Sequence, residues 1–395
     1  MAWRRSAAPI VAYLVVLMVA ACSPAADSGS PPSSKRSTAN TGTSMPALFY
    51  AKAGSLYVSD PAGTPGRKLT DGPADTQPAP SPDGTRVAYV HKNSTSDYGG
   101  ELWVLDLAED APAGAPHRLV DPPALPPPPG HRLGQIVNPR WSPTGKQIAF
   151  LQNDSNGTMA GGLLIVAAAD TGSVLSPPQR PAAADQYAWA PDGNHIAWAN
   201  ARSDVSPIDV NALEVGAASA PVAMDTNAYS VAYGSDGRSI LFTNGDASGP
   251  NFTEIPFALR DGGIYSAAAP GGTGTDPAGA PRTVFARAGS YYSDLAALSS
   301  GELAFTETRS GEGESSKSLQ VLDVSGGAPQ TIAANVAAEV QGPRWGAGNV
   351  VAYLESSPGK PLVITDLDKR TRQQIDTGVD AFAWPPQAAT ATSGG

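Results

Sequence analysis

Cysteine is almost absent from this chain of 395 residues, which contains a single one, Cys22. One thiol cannot form an internal disulfide, so the folded part must rely on its own hydrophobic core. Zinc sites that are built from pairs of cysteines are excluded as well. We therefore expect a domain large enough to fold without covalent or metal cross-links.

Histidine is also rare, with 4 in the chain, and no His-Glu-x-x-His motif occurs. His91, His117, His131 and His195 are scattered, so we do not expect them to converge on one ion. The Gly-x-Ser-x-Gly motif of serine hydrolases is missing too, and we expect no hydrolase domain to follow the folded part. The sequence thus predicts no catalytic residues, no cofactor and no metal.

Positively charged residues are fewer than negatively charged ones. The chain has 26 Lys and Arg residues and 36 Asp and Glu residues, which gives a formal net charge of −10. Losing Arg4 and Arg5 with an N-terminal signal would change this charge to −12. An acidic surface does not favour nucleic acids or anionic lipid headgroups. We expect neither as a partner, and we expect a monomer.

The N-terminus has the pattern of an export signal. Arg4 and Arg5 precede an apolar run over residues 10–20, which is too short to span a bilayer as a stable helix. The run ends in Val-Ala-Ala-Cys at Cys22 and resembles a bacterial lipobox, in which the cysteine is acylated; an ordinary secretory signal is the alternative. We predict a lipoprotein signal peptide over 1–21, membrane attachment through acyl chains such as palmitate on Cys22, a flexible tether over 22–45 and a disordered tail over 387–395.

The rest of the chain contains a repeat: a hydrophobic strand, a tight Pro/Gly turn and a second hydrophobic strand. In the turn, Ser-Pro-Asp-Gly and its variants place Pro where φ is near −65° and Gly where φ must be positive. Each copy therefore predicts a β-hairpin. The copies lie at residues 79–89, 140–150, 188–198, 232–242, 297–305 and 344–353.

The turn glycines are separated by 61, 48, 44, 64 and 47 residues. Blades of a β-propeller have four strands and recur at about 40–50 residues, so this spacing predicts a propeller with loop insertions. The Trp residues of the repeat are expected to fill the space between neighbouring sheets. They are Trp141, Trp189, Trp345 and Trp384.

Two fragments remain outside these copies. Residues 47–70 predict three strands without an inner strand, and residues 380–385 match the inner strand of the other copies. Together they would form one further blade, in which the C-terminal strand joins the N-terminal blade and closes the ring. We favour seven blades; six is the alternative, because the copies around Gly237 and Gly301 are degenerate.

The Trp-Ser-Pro-Asp-Gly-x-x-Ile-Ala-Phe type of repeat resembles that of the TolB-like family of WD-repeat-like propellers, over residues 46–386. The resemblance implies the fold, which hosts many activities. Its members include periplasmic scaffold proteins and the propeller domains of prolyl-oligopeptidase-type hydrolases. We expect this chain to depart from the periplasmic TolB pattern in two ways, by a lipobox at Cys22 and by the lack of room for an extra N-terminal domain.

The long insertions fall mainly on one face of the predicted propeller, and they carry aromatic and Arg side chains typical of protein-binding surfaces. Ordinary drift of loops on an inert scaffold is the alternative interpretation. The candidate partner-binding residues are His131, Arg132, Phe252, Phe257, Arg260, Arg287, Tyr291 and Tyr292.

Together these features predict a membrane-anchored, extracytoplasmic propeller that serves as a non-catalytic protein-binding scaffold of the bacterial cell envelope. Two other classes of function stay open. One is a propeller enzyme that acts on cell-wall glycan or peptide, and the other is a receptor for a small ligand.

Overall fold

The computed structural model describes most of the repeat region. The described residues are 47–59, 66–94, 97, 99–109, 111–125, 134–153, 163–175, 187–201, 208–216, 222–224, 228–244, 262–269, 281–298, 300–309, 316–337, 344–345 and 350–386. The predicted signal peptide, Cys22, the tether and the predicted tail over 387–395 lie outside this set.

The described strands form seven sheets, numbered here in chain order. Sheet 1 contains β1 (Phe49–Lys52), β2 (Ser55–Val58), β3 (Arg67–Lys68) and, from the far end of the chain, β28 (Val379–Ala383). Sheet 2 contains β4 (Asp75–Pro80), β5 (Arg86–His91), β6 (Glu101–Ala108), β7 (Ala111–Pro112) and β8 (His117–Val120). Sheet 3 contains β9 (Gln135–Trp141), β10 (Gln147–Asn153) and β11 (Leu163–Ala168).

The remaining four sheets have four strands each. Sheet 4 contains β12 (Tyr187–Trp189), β13 (His195–Ala201), β14 (Ile208–Glu214) and β15 (Val222–Met224). Sheet 5 contains β16 (Ala228–Tyr233), β17 (Ser239–Asn244), β18 (Gly263–Ala268) and β19 (Arg282–Ala286). Sheet 6 contains β20 (Ser290–Ala297), β21 (Glu302–Arg309), β22 (Ser316–Asp323) and β23 (Gln330–Ala334). Sheet 7 contains β24 (Arg344–Trp345), β25 (Val350–Leu354), β26 (Leu362–Asp366) and β27 (Thr371–Asp376).

The repeated turn has the predicted geometry. Gly84 has a φ of 71°, and its amide donates to the carbonyl of Ser81 at 3.0 Å. The Ser81 hydroxyl donates to Asp83 at 2.6 Å, and that carboxylate accepts the Thr85 amide at 3.1 Å. Gly145, Gly193, Gly237 and Gly301 also have positive φ angles, between 69° and 86°. The turn prediction is confirmed at these five glycines, while Gly348 lies outside the described residues.

Tryptophans of the repeat join one sheet to the next. Trp141 is 2% exposed, and its indole N–H donates to the carbonyl oxygen of Ala79 in the preceding sheet at 2.7 Å. Trp189 makes the equivalent bond to the carbonyl of Arg140 at 3.2 Å. Trp384 is buried in a cluster with residues of sheet 7. The expected packing between sheets is confirmed for these three, and the side chain of Trp345 lies outside the described part of the chain.

Each apolar cluster of the core contains residues from two neighbouring sheets. One joins Ala79 and Val104 of sheet 2 to Ile148 and Phe150 of sheet 3, and another joins Leu241 of sheet 5 to sheet 6. A sheet of this kind is therefore buried on both faces, and its paired strands are all antiparallel. The prediction of an all-β propeller is confirmed. Within the described residues, no helix has the length and apolar character needed to cross a bilayer.

Candidate functional site

Near the end of the second strand of every repeat, a polar residue stands two positions after a buried aromatic residue. Because side chains of a strand alternate between faces, both residues point to the same face. The aromatic side chains lie in clusters shared with a neighbouring sheet. For sheets 2 to 7 this is the preceding sheet along the chain, and for Tyr50 of sheet 1 it is sheet 7. The polar set, here called the strand-end residues, is Lys52, His91, Gln152, Asn200, Asn244, Glu307 and Glu355.

The strand-end residues lie at the end of the sheets opposite the glycine turns, here called the loop end. Several are paired with groups on other strands: Lys52 Nζ lies 2.6 Å from Asp376 Oδ1, and His91 Nδ1 lies 2.6 Å from Asp75 Oδ1. Glu355 pairs with Arg372. Gln152 is fully buried, and neither of its amide atoms has a hydrogen-bond partner within the described structure. The side chains of Asn200 and Asn244 lie outside it.

Glu307 is the strand-end residue with the most charged partners. Its side chain is 0% exposed, yet Arg287 Nη1 lies 2.9 and 3.2 Å from its two carboxylate oxygens. Arg309 Nη2 lies 3.1 Å from Oε2, and the Ser290 hydroxyl donates to Oε1 at 2.7 Å. Burial alone would raise the pKa of Glu307, but the hydrogen bonds from Arg309 and Ser290 and the charges of both arginines lower it overall. The carboxylate is therefore ionised at neutral pH.

A second polar cluster lies on the same sheet. Lys317 Nζ lies 2.9 Å from Asp294 Oδ2, which also accepts hydrogen bonds from Thr306 Oγ1 at 2.6 Å and Ser293 Oγ at 2.9 Å. Thr306 precedes Glu307 on β21, so the two residues point to opposite faces of sheet 6. Sheet 6 thus has a charged cluster on each face at its loop end.

Asp294 belongs to a set of inner-strand residues with unusual backbone angles. Gln77, Asn138 and Asp294 each stand seven residues before a turn glycine and have φ angles of 50°, 52° and 55°. Their hairpins all show a shift of strand register near these residues. Gln77 Oε1 accepts the amide of Asn138 at 2.6 Å, which links sheets 2 and 3. Positive φ is costly for residues other than glycine, and such strain is concentrated at functional sites.

Three of the predicted partner-binding residues are described, and only Arg287 is paired with Glu307. Tyr291 lies opposite Thr308 and points to the other face of sheet 6. Arg287 is the half-exposed partner of Glu307, and Tyr291 is half-buried on β20. Tyr292 is 2% exposed, with its ring 5.6 Å from that of Phe305 and 5.8 Å from that of Phe285. This ring belongs to the core between sheets 5 and 6, and its part in partner binding stays a prediction. The other five predicted residues, His131, Arg132, Phe252, Phe257 and Arg260, lie outside the described residues.

The sequence analysis missed Glu307, Ser290 and Arg309. The sequence did contain a signal for Glu307. Near the end of every second strand, an aromatic residue is followed two positions later by a polar one, as in Tyr50 to Lys52 and Phe305 to Glu307. Within the described residues, no group of three or more His, Cys, Asp and Glu side chains could hold a metal ion. The Glu307 cluster can present arginine N–H groups to an anion.

Replacing Glu307 by Gln tests the electrostatics of the cluster. We expect the free energy of unfolding at neutral pH to fall by about 1–3 kcal/mol, because two arginines lose a buried acceptor charge. Since the pKa of Glu307 is lowered on folding, its stabilisation is present above the ordinary value of 4.5 and is lost as the pH falls through the lower folded value. The difference between parent and variant, measured by urea unfolding, should therefore shrink in acid.

The matched control for this prediction is Glu214→Gln, which removes an exposed carboxylate on β14. It should leave the free energy of unfolding nearly unchanged at every pH. Equal effects of the two substitutions would contradict the assignment of a buried, ionised Glu307.

No family model matches this chain, and no curated protein matches it. Among solved structures, TolB from Acinetobacter baumannii is similar, with 17% identity, a TM-score of 0.50, and coverage of 86% of this chain and 81% of that one. A puromycin hydrolase is similar with 14% identity and a TM-score of 0.54 over 84% of this chain. An acylaminoacyl peptidase from Pyrococcus horikoshii has 13% identity and a TM-score of 0.52, also over 84%.

This chain spans about half the length of the two hydrolase chains, 52% and 53%, but most of TolB. At such identities the similarity concerns the fold alone. The resemblance predicted from the repeats is confirmed at that level: the described chain has a TolB-like β-propeller fold.

Proposed function

We propose that this chain is a lipid-anchored propeller on the extracytoplasmic face of a bacterial cell membrane, where it binds another protein and catalyses no reaction. The observation that carries the proposal is the cluster at the loop end of sheet 6. There Arg287 and Arg309 are half-exposed, with side-chain exposures of 38% and 54%, above a fully buried Glu307. Arginines fixed in this way are typical of the centres of protein interfaces.

The neighbourhood of this cluster in the sequence supports the same function. The Gly262 amide donates to the Ser290 carbonyl at 3.1 Å, and Gly262 follows the long insertion that contains Phe252, Phe257 and Arg260. The described chain thus resumes after that insertion beside Ser290, in the Glu307 cluster. Extracytoplasmic placement and anchoring are supported by the signal pattern and by Cys22 being the sole cysteine.

We further propose that each of the seven sheets is one blade and that the C-terminal strand closes the ring. Support comes from the pairing of β28 with β1 in sheet 1 and from seven aromatic-x-polar strand ends, one in each sheet. A core cluster joins Val350 and Ile364 of sheet 7 to Tyr50 and Phe382 of sheet 1. The Tyr50 hydroxyl also donates to Asp376 Oδ2 at 2.9 Å, across the same interface.

Truncation tests ring closure. A chain that ends after Gly378 loses β28, including buried Val379 and Phe382, so we expect its free energy of unfolding to drop by about 5 kcal/mol or more. A chain that ends after Pro386 keeps β28 and serves as the control, with unchanged stability. Similar urea midpoints for the two truncated chains, or a crystal structure with six sheets, would overturn the proposed ring.

Substitution of Cys22 tests the anchor. The Cys22→Ser variant cannot be acylated, so we expect it to leave the membrane fraction and to incorporate no labelled palmitate. The parent chain should stay in the membrane fraction and incorporate labelled palmitate. Digestion of the chain by protease added to intact cells would show that it lies on the outer side of the membrane. A Cys22→Ser chain that stays in the membrane fraction would argue against lipid anchoring.

Site-specific crosslinking in intact cells tests partner binding. A photoreactive phenylalanine analogue at Tyr291 should capture one reproducible protein, because this half-buried residue directly follows Ser290, whose hydroxyl binds Glu307. The same analogue at exposed Asp236, in a glycine turn, is the control and should capture nothing. Capture at Tyr291 should disappear when residues 245–261 are replaced by a short turn.

No capture from position 291, or equal capture from both positions, would contradict the scaffold proposal. The second candidate is then an enzyme acting on cell-wall glycan or peptide, favoured by the strained Asp294 and its bonds to Thr306 and Lys317. Turnover of such substrates by the parent chain, and its loss in Asp294→Asn, would establish that candidate.

A further inference from the structure

The cluster around Glu307 has an excess of positive charge in an otherwise acidic chain. Two guanidinium groups share one carboxylate there, which leaves a net charge of +1, while the whole chain has a formal charge of −10. The nearby Asp294 and Lys317 neutralise each other on the opposite face of sheet 6. The loop end of this sheet therefore has a local attraction for anions.

The arginines keep hydrogen-bond donors that Glu307 does not use. Arg287 contacts the carboxylate through Nη1, and Arg309 contacts it through Nη2. Each guanidinium has five N–H donors, and the remaining ones have no acceptor among the described residues. Because Glu307 is fully buried and both arginines are partly exposed, an incoming anion would meet guanidinium groups and not the carboxylate.

The geometry of Arg287 is fixed before any ligand arrives. The guanidinium of Arg287 lies 5.4 Å from the ring centre of Phe285, and the Arg287 carbonyl accepts the Ser290 amide at 3.2 Å. Ser290 in turn donates its hydroxyl to Glu307, so the residues of this turn hold one another in place. Groups held in this way lose little entropy on binding, which favours affinity for a matching ligand.

We propose that Arg287 and Arg309 form a carboxylate-binding site for an Asp- or Glu-containing segment of the partner protein. The planar fork of arginine matches a carboxylate in two parallel hydrogen bonds, which a lysine ammonium cannot reproduce. This inference rests on the proposed function, since it names the chemistry by which the binding face recognises its partner.

A labelled peptide probe tests the site on the full-length chain in detergent. Fluorescein-labelled hexaglutamate with an amidated C-terminus should bind at low salt, as measured by fluorescence anisotropy, and hexaglutamine amide should not. In Arg309→Gln, binding should weaken by about tenfold or more, because one charge-assisted contact is lost. Arg309→Lys should weaken binding less than Arg309→Gln does, since charge is kept and the fork is lost.

The matched control is Arg238→Gln, which removes an exposed arginine at a glycine turn, at the other end of the sheets. It changes the net charge equally and should leave affinity for hexaglutamate unchanged. If Arg238→Gln and Arg309→Gln weaken the binding of hexaglutamate equally, the effect is due to overall charge, and the proposed site is wrong.

Failure of the site and failure of the scaffold proposal can be told apart. If position 291 captures a protein in cells while hexaglutamate amide does not bind the purified chain, the carboxylate site is wrong and the scaffold stands. If hexaglutamate binds and Arg309→Gln also abolishes capture at position 291, both are supported. Capture that persists in Arg309→Gln would show that the partner is not recognised through this site.

Discussion

The need of every sheet to bury both of its faces determines the rest of this structure. A four-stranded antiparallel sheet with apolar side chains on both sides cannot stand alone in water, so each sheet needs neighbours that cover its faces. The buried aromatic residue of each second strand supplies much of this contact, from Tyr50 in sheet 1 to Tyr353 in sheet 7. Indole bonds such as that from Trp141 to the Ala79 carbonyl add direction to it, because a hydrogen bond fixes how one sheet is placed against its neighbour.

The polar strand ends follow from the same alternation of side chains. The side chain two residues beyond each aromatic residue also points toward the neighbouring sheet, but it lies at the border of the apolar core. A charged group there loses much of its hydration and needs a partner, which Asp376 provides for Lys52 and two arginines provide for Glu307. Gln152 lacks such a partner among the described residues and marks the place where this arrangement is incomplete. The candidate site is thus a product of the fold and not an addition to it.

The sequence was sufficient for the fold because its signals are local and repeated. Ser81, Asp83 and Gly84 specify a turn through bonds made within six residues, and the structure has those bonds. The candidate site is different, because Arg287 and Glu307 stand 20 residues apart and meet only through the pairing of β20 with β21. Tyr292 shows the limit most clearly: its neighbour Tyr291 is half-buried, and a single step along the strand places Tyr292 in the core. Which face of a strand is buried could not be read for a copy whose turn motif is as weak as that before Gly301.

The place of β1 within sheet 1 has a mechanical consequence. This strand, the first of the described strands, is hydrogen-bonded on both of its edges, to β2 on one side and to β28 on the other. Detaching this strand breaks two ladders of hydrogen bonds, whereas detaching an edge strand such as β3 breaks only one. The start of the described chain is therefore held by twice as many ladders as an edge strand would be.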